Sequence, residues 1–265
     1  TDRNRTSPFA FTGNKFEFRM VGSRDSISEC NVVLNTIAAE AFKEACDRLE
    51  KADDFEMAVH DLIKEYAIDH QRIVFNGNGY APEWAEEAKR RGLPNLPSMV
   101  DAIPALTTDK AVKLFEEFHV FTKTELESRA EIQYEIYAKA VNIEAKTMID
   151  LATKQIIPAV VRYTTVLADS VNTVRAVGDI DVSVQLELLK KCSALLKTTN
   201  SAMKNLSDVV AKVSEIPEGR ERAVYCKDIV CKAMTELRTP VDELEMLVDK
   251  SMWPMPSYGD LIFEV

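Results

Sequence analysis

Residues 122–177 read TKTELESRAEIQYEIYAKAVNIEAKTMIDLATKQIIPAVVRYTTVLADSVNTVRAV, and this stretch decides the fold class. Thr122 and Glu125 have the T-x-x-E spacing of a capping box. Helical periodicity then runs to about Val177, broken only by Pro158, which predicts a kink because proline removes a ladder hydrogen bond. Gly178 ends the run. A second long helix is expected from about Asp181 to Ser214. In it Val182, Leu186, Leu189, Ser193, Leu196, Asn200 and Met203 alternate steps of four and three, a heptad seam whose polar members would set register. Ile216-Pro217-Glu218-Gly219 breaks the chain again. A third helix follows to about Lys250, with Pro240 as a second kink. Three long amphipathic helices joined by short breaks predict an up-down-up bundle. The tail MWPMPSYGDLIFEV is too apolar to float free and is expected to dock as an extended segment.

Upstream the texture differs. Phe9, Phe11, Phe16 and Phe18 alternate with small or polar residues, and Lys15-Phe16-Glu17-Phe18-Arg19 alternates as a half-buried strand does. From about Ser28 the period becomes helical. Leu34, Ile37, Ala38, Ala41, Phe42 and Ala45 form one broad stripe. Asp53 is expected to cap a second helix that turns Phe55, Val59, Leu62, Ile63 and Tyr66 inward. Asn76-Gly77-Asn78-Gly79 reads as a turn. Pro82 opens a short helix that Gly92 stops, Ser98 with Asp101 resembles a capping pair, and Thr108 begins another helix. The fold class is therefore mainly α, with a short N-terminal β-strand remnant, then helices ending in the three-helix bundle. The domain boundary is expected near residue 145, giving residues 1–145 and 146–265.

Composition narrows the function classes. With 46% hydrophobic and 29% charged residues, the chain is ordinary globular material. A net charge of −10 argues against a nucleic-acid coat or an anionic-membrane binder, both of which need a positive face. No apolar run approaches the ~20 residues of a membrane span, and TDRNRTSPF has no signal-peptide core. The lack of an initiator Met suggests that residue 1 is not a natural start. Five cysteines at 30, 46, 192, 226 and 231 share no repeated spacing, so packing thiols in a reducing, cytoplasmic compartment are expected. Five residues on an α-helix turn by about 140°, which sets Cys226 and Cys231 on different faces.

The basic N-terminal patch is the most informative for chemistry. Lys15, Glu17 and Arg19 share one strand face, with Arg3 and Arg5 nearby. A carboxylate among cations can hold a divalent metal while its neighbours hold phosphate or carboxylate oxygens. A solvated strand face with an ion pair explains the same pattern. The Asn-Gly repeat lacks the Gly-Lys-Ser/Thr ending of a phosphate loop. His60, His70 and His119 have no metal-ligand spacing, and no nucleophile–base constellation can be assembled.

DRNRTSPFAFTGNKFEFR (residues 2–19), RIVFNGNGY (72–80), RGLPNLPSMVDAIPAL (91–106) and the terminal WPMPSYGDLIFEV together resemble type III glutamine synthetases. The resemblance is spread over the whole chain and concerns only the C-terminal portion of that much longer family. It implies a ligase that joins ammonia to glutamate with ATP, through γ-glutamyl phosphate. It implies that Glu17 holds a divalent metal, Mg2+ or Mn2+, and that Arg19 contacts glutamate or the transferring phosphoryl group. Arg5 would bridge ATP phosphate and glutamate, and Lys15 matches a basic residue on the nucleotide side. Where many members carry a second arginine, this chain has Phe9 or Ala10. The other metal carboxylates, the metal histidine and most of the glutamate pocket lie upstream in the family, so the resemblance implies an incomplete active site here. It also implies a homo-oligomer, a dodecamer of two stacked hexameric rings, with the late helices as a structural C-terminal domain. A non-enzymatic helical scaffold fits the composition and bundle periodicity equally well. The Arg5–Glu17–Arg19 patch favours the ligase.

Overall fold

Thr122 does open the longest helical run. In the computed structural model its hydroxyl and backbone N–H both donate to Glu125 Oε2, at 2.9 and 2.8 Å. The structure describes the backbone of residues 9–11 and 16–18, and residues 26–79 and 81–263. The chain divides into two compact units, Thr1–Glu127 and Ser128–Val265. The expected boundary near residue 145 lies inside the helix that crosses this division.

In the first unit, strands β1 (Phe9–Phe11) and β2 (Phe16–Phe18) pair antiparallel, with Phe9 opposite Phe18, Ala10 opposite Glu17 and Phe11 opposite Phe16. Helices α1 (Ser28–Leu49) and α2 (Phe55–Asp69) follow. Asp54, not Asp53, caps α2, accepting from the Met57 N–H at 3.0 Å. Asp54 stands immediately before the first helical residue, where its carboxylate reaches the free N–H groups. Helices α3 (Pro82–Arg90), α4 (Met99–Ala102) and α5 (Asp109–Glu117) begin as expected at Pro82, Ser98 and Thr108. Helix α1 packs on α2 and α5. It buries little: Thr36 is its one fully buried residue, while Phe42 is 72% exposed and Ile37 is also exposed. On α2, Leu62 is buried but Phe55 and Ile63 are exposed. The apolar stripes are broader than the surfaces that meet them within this unit.

The second unit is the bundle. Helix α6 (Lys123–Leu151) passes through a wide π-helical turn, Ala152–Ile156, into α7 (Ile157–Val177). Pro158 has no N–H to donate, and the chain accommodates it in the first turn of α7, directly after the widened turn. Helix α8 (Ser183–Ala211) returns and packs on both α7 and the third rod. That rod is α9 (Arg220–Tyr225), a π turn at Cys226–Val230, and α10 (Cys231–Glu245).

Core residues prove the up-down-up order. One layer joins Ala138, Val141 and Ala145 of α6 to Leu206 and Val210 of α8 and to Val230, Ala233 and Leu237. The other joins Ile156 and Val160 to Cys192 and to Leu244 and Val248. Numbers rise along the first and third rods while they fall along α8. The seam of α8 differs from the expected one. Val182 is buried, but Cys192, Thr199, Leu206 and Val213 carry the centre, Ser193 is exposed and Asn200 is half-buried. Both patterns share the seven-residue series through 182, 189, 196 and 203. The structure adds the residue three positions on, where the sequence reading added the one four on.

The tail is a correction as well. Met252 and Trp253 do pack on the second core layer, and the Trp253 indole donates to Glu245 Oε1 at 3.1 Å. Beyond them the chain is helical, not extended, in α11 (Tyr258–Phe263). The cause is a capping pair at its start: the Ser257 hydroxyl donates to Asp260 Oδ2 at 2.7 Å, and the Asp260 N–H donates back to the Ser257 hydroxyl at 3.4 Å. Tyr258, Leu261, Ile262 and Phe263 stay exposed.

Candidate functional site

The ladder of β1 and β2 sets position 17 directly across from position 10. Side-chain period along a strand is two, so positions 9, 11, 16 and 18 lie on one face and 10 and 17 on the other. This agrees with the alternation read from sequence and puts the glutamate position on the face away from the phenylalanine positions. The Glu17 side chain, and Arg5, Lys15 and Arg19 altogether, lie outside the described residues.

Nearby in sequence, two of the recognisable segments are joined by a residue that sequence reasoning did not single out. Arg91 donates from Nη1 to the carbonyls of Val74, at 2.6 Å, and Arg72, at 3.2 Å. Its guanidinium also lies 5.7 Å from the Trp84 ring centre and 5.9 Å from that of Phe75. Those rings stack on each other at 4.2 Å. Arg91 thereby fastens residues 72–75 to the end of α3. Glu87 holds Arg91 in turn, accepting from its Nε at 2.5 Å and from Arg90 Nε and Nη2 at 2.7 and 2.6 Å. These bonds, from Arg90 first and Arg91 second, bring the Glu87 carboxyl down to about 2. Phe75 folds over Gly77 so closely that a Cβ there would stand 2.4 Å from the ring. The Asn-Gly stretch is thus a turn shaped by its aromatic neighbour. The signal for the clamp was present: an arginine after the E-x-x-R of a short helix can reach back to the preceding loop.

Among the described residues no group of three or more His, Cys, Asp or Glu could hold a metal ion. None of their helices is long and apolar enough to cross a membrane.

Residues 58–175 match the family model of the glutamine synthetase C-terminal domain. A type-3 glutamine synthetase of Dictyostelium discoideum is 38% identical over 99% of this chain and 37% of its own length. The chain corresponds to the C-terminal portion of type-3 glutamine synthetases. A glutamine synthetase of Butyrivibrio fibrisolvens is 35% identical over 100% of the chain and 38% of its own length. One from Bacteroides fragilis is 31% identical over 99% and 37%. The chain therefore spans less than two fifths of the length of these relatives. The likeness reaches both of its units, including the strands with Glu17 and the helical bundle.

Proposed function

We propose that the chain is the C-terminal part of a glutamate–ammonia ligase, which makes glutamine from glutamate, ammonia and ATP through γ-glutamyl phosphate. The observation that carries this reading is the likeness to glutamine synthetases along the whole chain. Glu17 contributes one carboxylate to a Mg2+ or Mn2+ ion, for which oxygen donors are suited. Such an ion needs further oxygens, so Glu17 completes a site rather than making one. When bound, the metal offsets the charge that develops on the phosphoryl oxygens. Arg5 and Arg19 bind and orient the phosphate and glutamate oxygens, and Lys15 lies on the nucleotide side. The strand register supports the reading for Glu17 alone, since position 17 pairs with position 10 on the face away from the phenylalanine positions. The clamp of Arg91 holds residues 72–75 against the end of α3. The helical unit builds a homo-oligomer of two stacked hexameric rings, in a cytoplasmic setting.

The test is Glu17→Ala in the full-length enzyme. Glutamine formation is expected to fall by at least about a hundredfold, on the scale of losing one preorganised electrostatic group. Thermal unfolding should be unchanged, and metal titration should show one weakened site. Full activity at saturating metal would refute the assignment.

A further inference from the structure

Cys226 and Cys231 flank the π turn of the third rod. On a regular α-helix they would diverge, as the sequence reading expects. The turn changes that. The Cys231 N–H donates to the Cys226 carbonyl, an i→i+5 bond that stacks the two residues across one widened turn. Residues joined by such a bond lie one closed turn apart, on the order of 6 Å between Cα atoms, inside the roughly 4.4–6.8 Å that a disulfide spans. Both thiols meet α6 at adjacent residues. Cys226 Sγ lies 3.9 Å from the Ala138 carbonyl oxygen, and Cys231 Sγ lies 3.8 Å from the Tyr137 hydroxyl. Their access to solvent is unequal: Cys226 is 0% exposed, whereas Cys231 is partly exposed. Burial, and then the neighbouring Cys231, push the Cys226 thiol up, so it stays protonated while sealed in the core.

We infer that Cys226 and Cys231 form a redox-modification site, a dithiol that closes to an intrahelical disulfide by exchange with a low-molecular-weight disulfide. The partly exposed Cys231 reacts first. Its thiolate attacks one sulfur of the oxidant RSSR, forming Cys231–S–S–R and releasing RS−. Local opening of the π turn then frees Cys226. Its thiolate attacks the Cys231 sulfur, forms the protein disulfide and expels the second RS−. The two cysteine protons end on two RSH molecules, and the protein has given up two electrons. The other cysteines have no such partner. Cys30 and Cys46 both ride on α1, about 24 Å apart along its axis, and Cys192 sits in the other core layer. Closure must draw both sulfurs off Ala138 and Tyr137, so oxidation acts on the packing of α6 against the third rod.

The test exposes the folded full chain to oxidised glutathione, with circular dichroism confirming that it stays helical. Free thiols are then alkylated and peptides mapped by mass. The expected result is a Cys226–Cys231 disulfide with no lasting glutathione adduct on either of those two cysteines, reversed by dithiothreitol. Cys226→Ser, or Cys226→Ala should the serine fail to fold, is expected to stop at a glutathione adduct on Cys231. Cys231→Ser should leave Cys226 reduced. Three results overturn the inference: a stable adduct on Cys231 while Cys226 remains alkylatable, both thiols reduced throughout, or a bridge to another cysteine.

Discussion

The two units hold themselves together by different means. Ser128–Val265 is built on two continuous core layers, in which Leu206, Leu237 and Leu244 are essentially inaccessible. In Thr1–Glu127, α1 is tied to α2 and to α5 at the surface. Arg48 donates to both oxygens of Glu65, at 2.9 and 2.6 Å, and Lys43 pairs with Glu117 at 2.9 Å. Exposed pairs of this kind contribute little, because water and salt screen them. A fully buried leucine contributes about 1.5–3 kcal/mol. The difference teaches that the bundle carries its own stability. The α1–α2 region leaves Ile37, Phe42, Phe55 and Ile63 wet and depends on edge contacts.

The sharpest way to break this comparison is to separate the units. Residues 128–265 expressed alone should give a strongly helical spectrum and one sigmoidal thermal transition. Residues 1–127 alone should melt broadly and at lower temperature. Circular dichroism on both pieces decides it, and a coil spectrum for 128–265 would show that the bundle does not stand by itself. Single substitutions should repeat the contrast inside the whole chain. Leu206→Ala is expected to cost about 2–5 kcal/mol, as core truncations do. Phe42→Ala, at a side chain mostly in water, should stay within about 0.5 kcal/mol. Denaturant unfolding with matched slopes would measure both.

Each unit also has local flaws, and repairing one in each should sharpen the contrast. In the bundle, Thr199 is 0% exposed and its hydroxyl finds no hydrogen-bond partner. Thr199→Val keeps the shape and removes the stranded polar group, and it should stabilise by about 1 kcal/mol. In the first unit the flaw is in the backbone. Helix α5 ends with His119 at φ 53°, its N–H bonded to the Glu116 carbonyl and the Val120 N–H to that of Phe115. Gly92 fills the same role after α3, with the matching bonds to Lys89 and Ala88. A non-glycine residue in that conformation costs roughly 1–2 kcal/mol, less the entropy that glycine adds to the unfolded chain. His119→Gly should therefore stabilise by under about 1 kcal/mol, and Gly92→Ala should destabilise by about as much. Thermal midpoints of the three variants check this.

Much of this architecture is legible in the residues, and the misses have physical causes. Caps were readable because Ser98, Thr108 and Thr122 act within a few residues of themselves. The order of the bundle follows from Gly178, where α7 stops, and Gly219, where α9 starts. The seam of α8 was read one step off because leucine outranks cysteine and threonine in any hydropathy pattern, yet Cys192 and Thr199 fit the tight centre. The wide turns at Ala152–Ile156 and Cys226–Val230 add a residue to the helical period, which no strict periodicity can register. At the candidate site, the strand that carries Glu17 was legible from alternation. Further metal ligands were not, because a metal site is assembled from segments distant in sequence. Arg91 was hidden for a similar reason, its role being defined by backbone carbonyls at 72 and 74.

The smallest expected effect uses acid to sharpen the same contrast, because each unit has its own tryptophan. Trp84 belongs to the first unit and stacks on Phe75, beside Arg91. Trp253 belongs to the second and packs on its core. Glu87, which holds Arg91, titrates at about 2 instead of its ordinary 4.5. Its folded value is depressed, so its contribution is fully present above about 4.5 and is lost as pH falls towards 2. Asp260 is lowered to about 2 by Lys250 and Ser257, and it follows the same sign from its ordinary 3.8. Its loss frees α11, while the Trp253 ring stays anchored among Ile156, Val160 and Leu244. Two single-tryptophan chains, Trp253→Phe and Trp84→Phe, separate the signals. Emission from Trp84 should change between pH 4.5 and 2, and Glu87→Gln should abolish that change by removing the titrating group. Emission from Trp253, whose ring is held on the core, should change less over the same range. If both tryptophans moved together, the clamp at Arg91 and the bundle would be losing structure as one, and the difference between the units would not extend to acid.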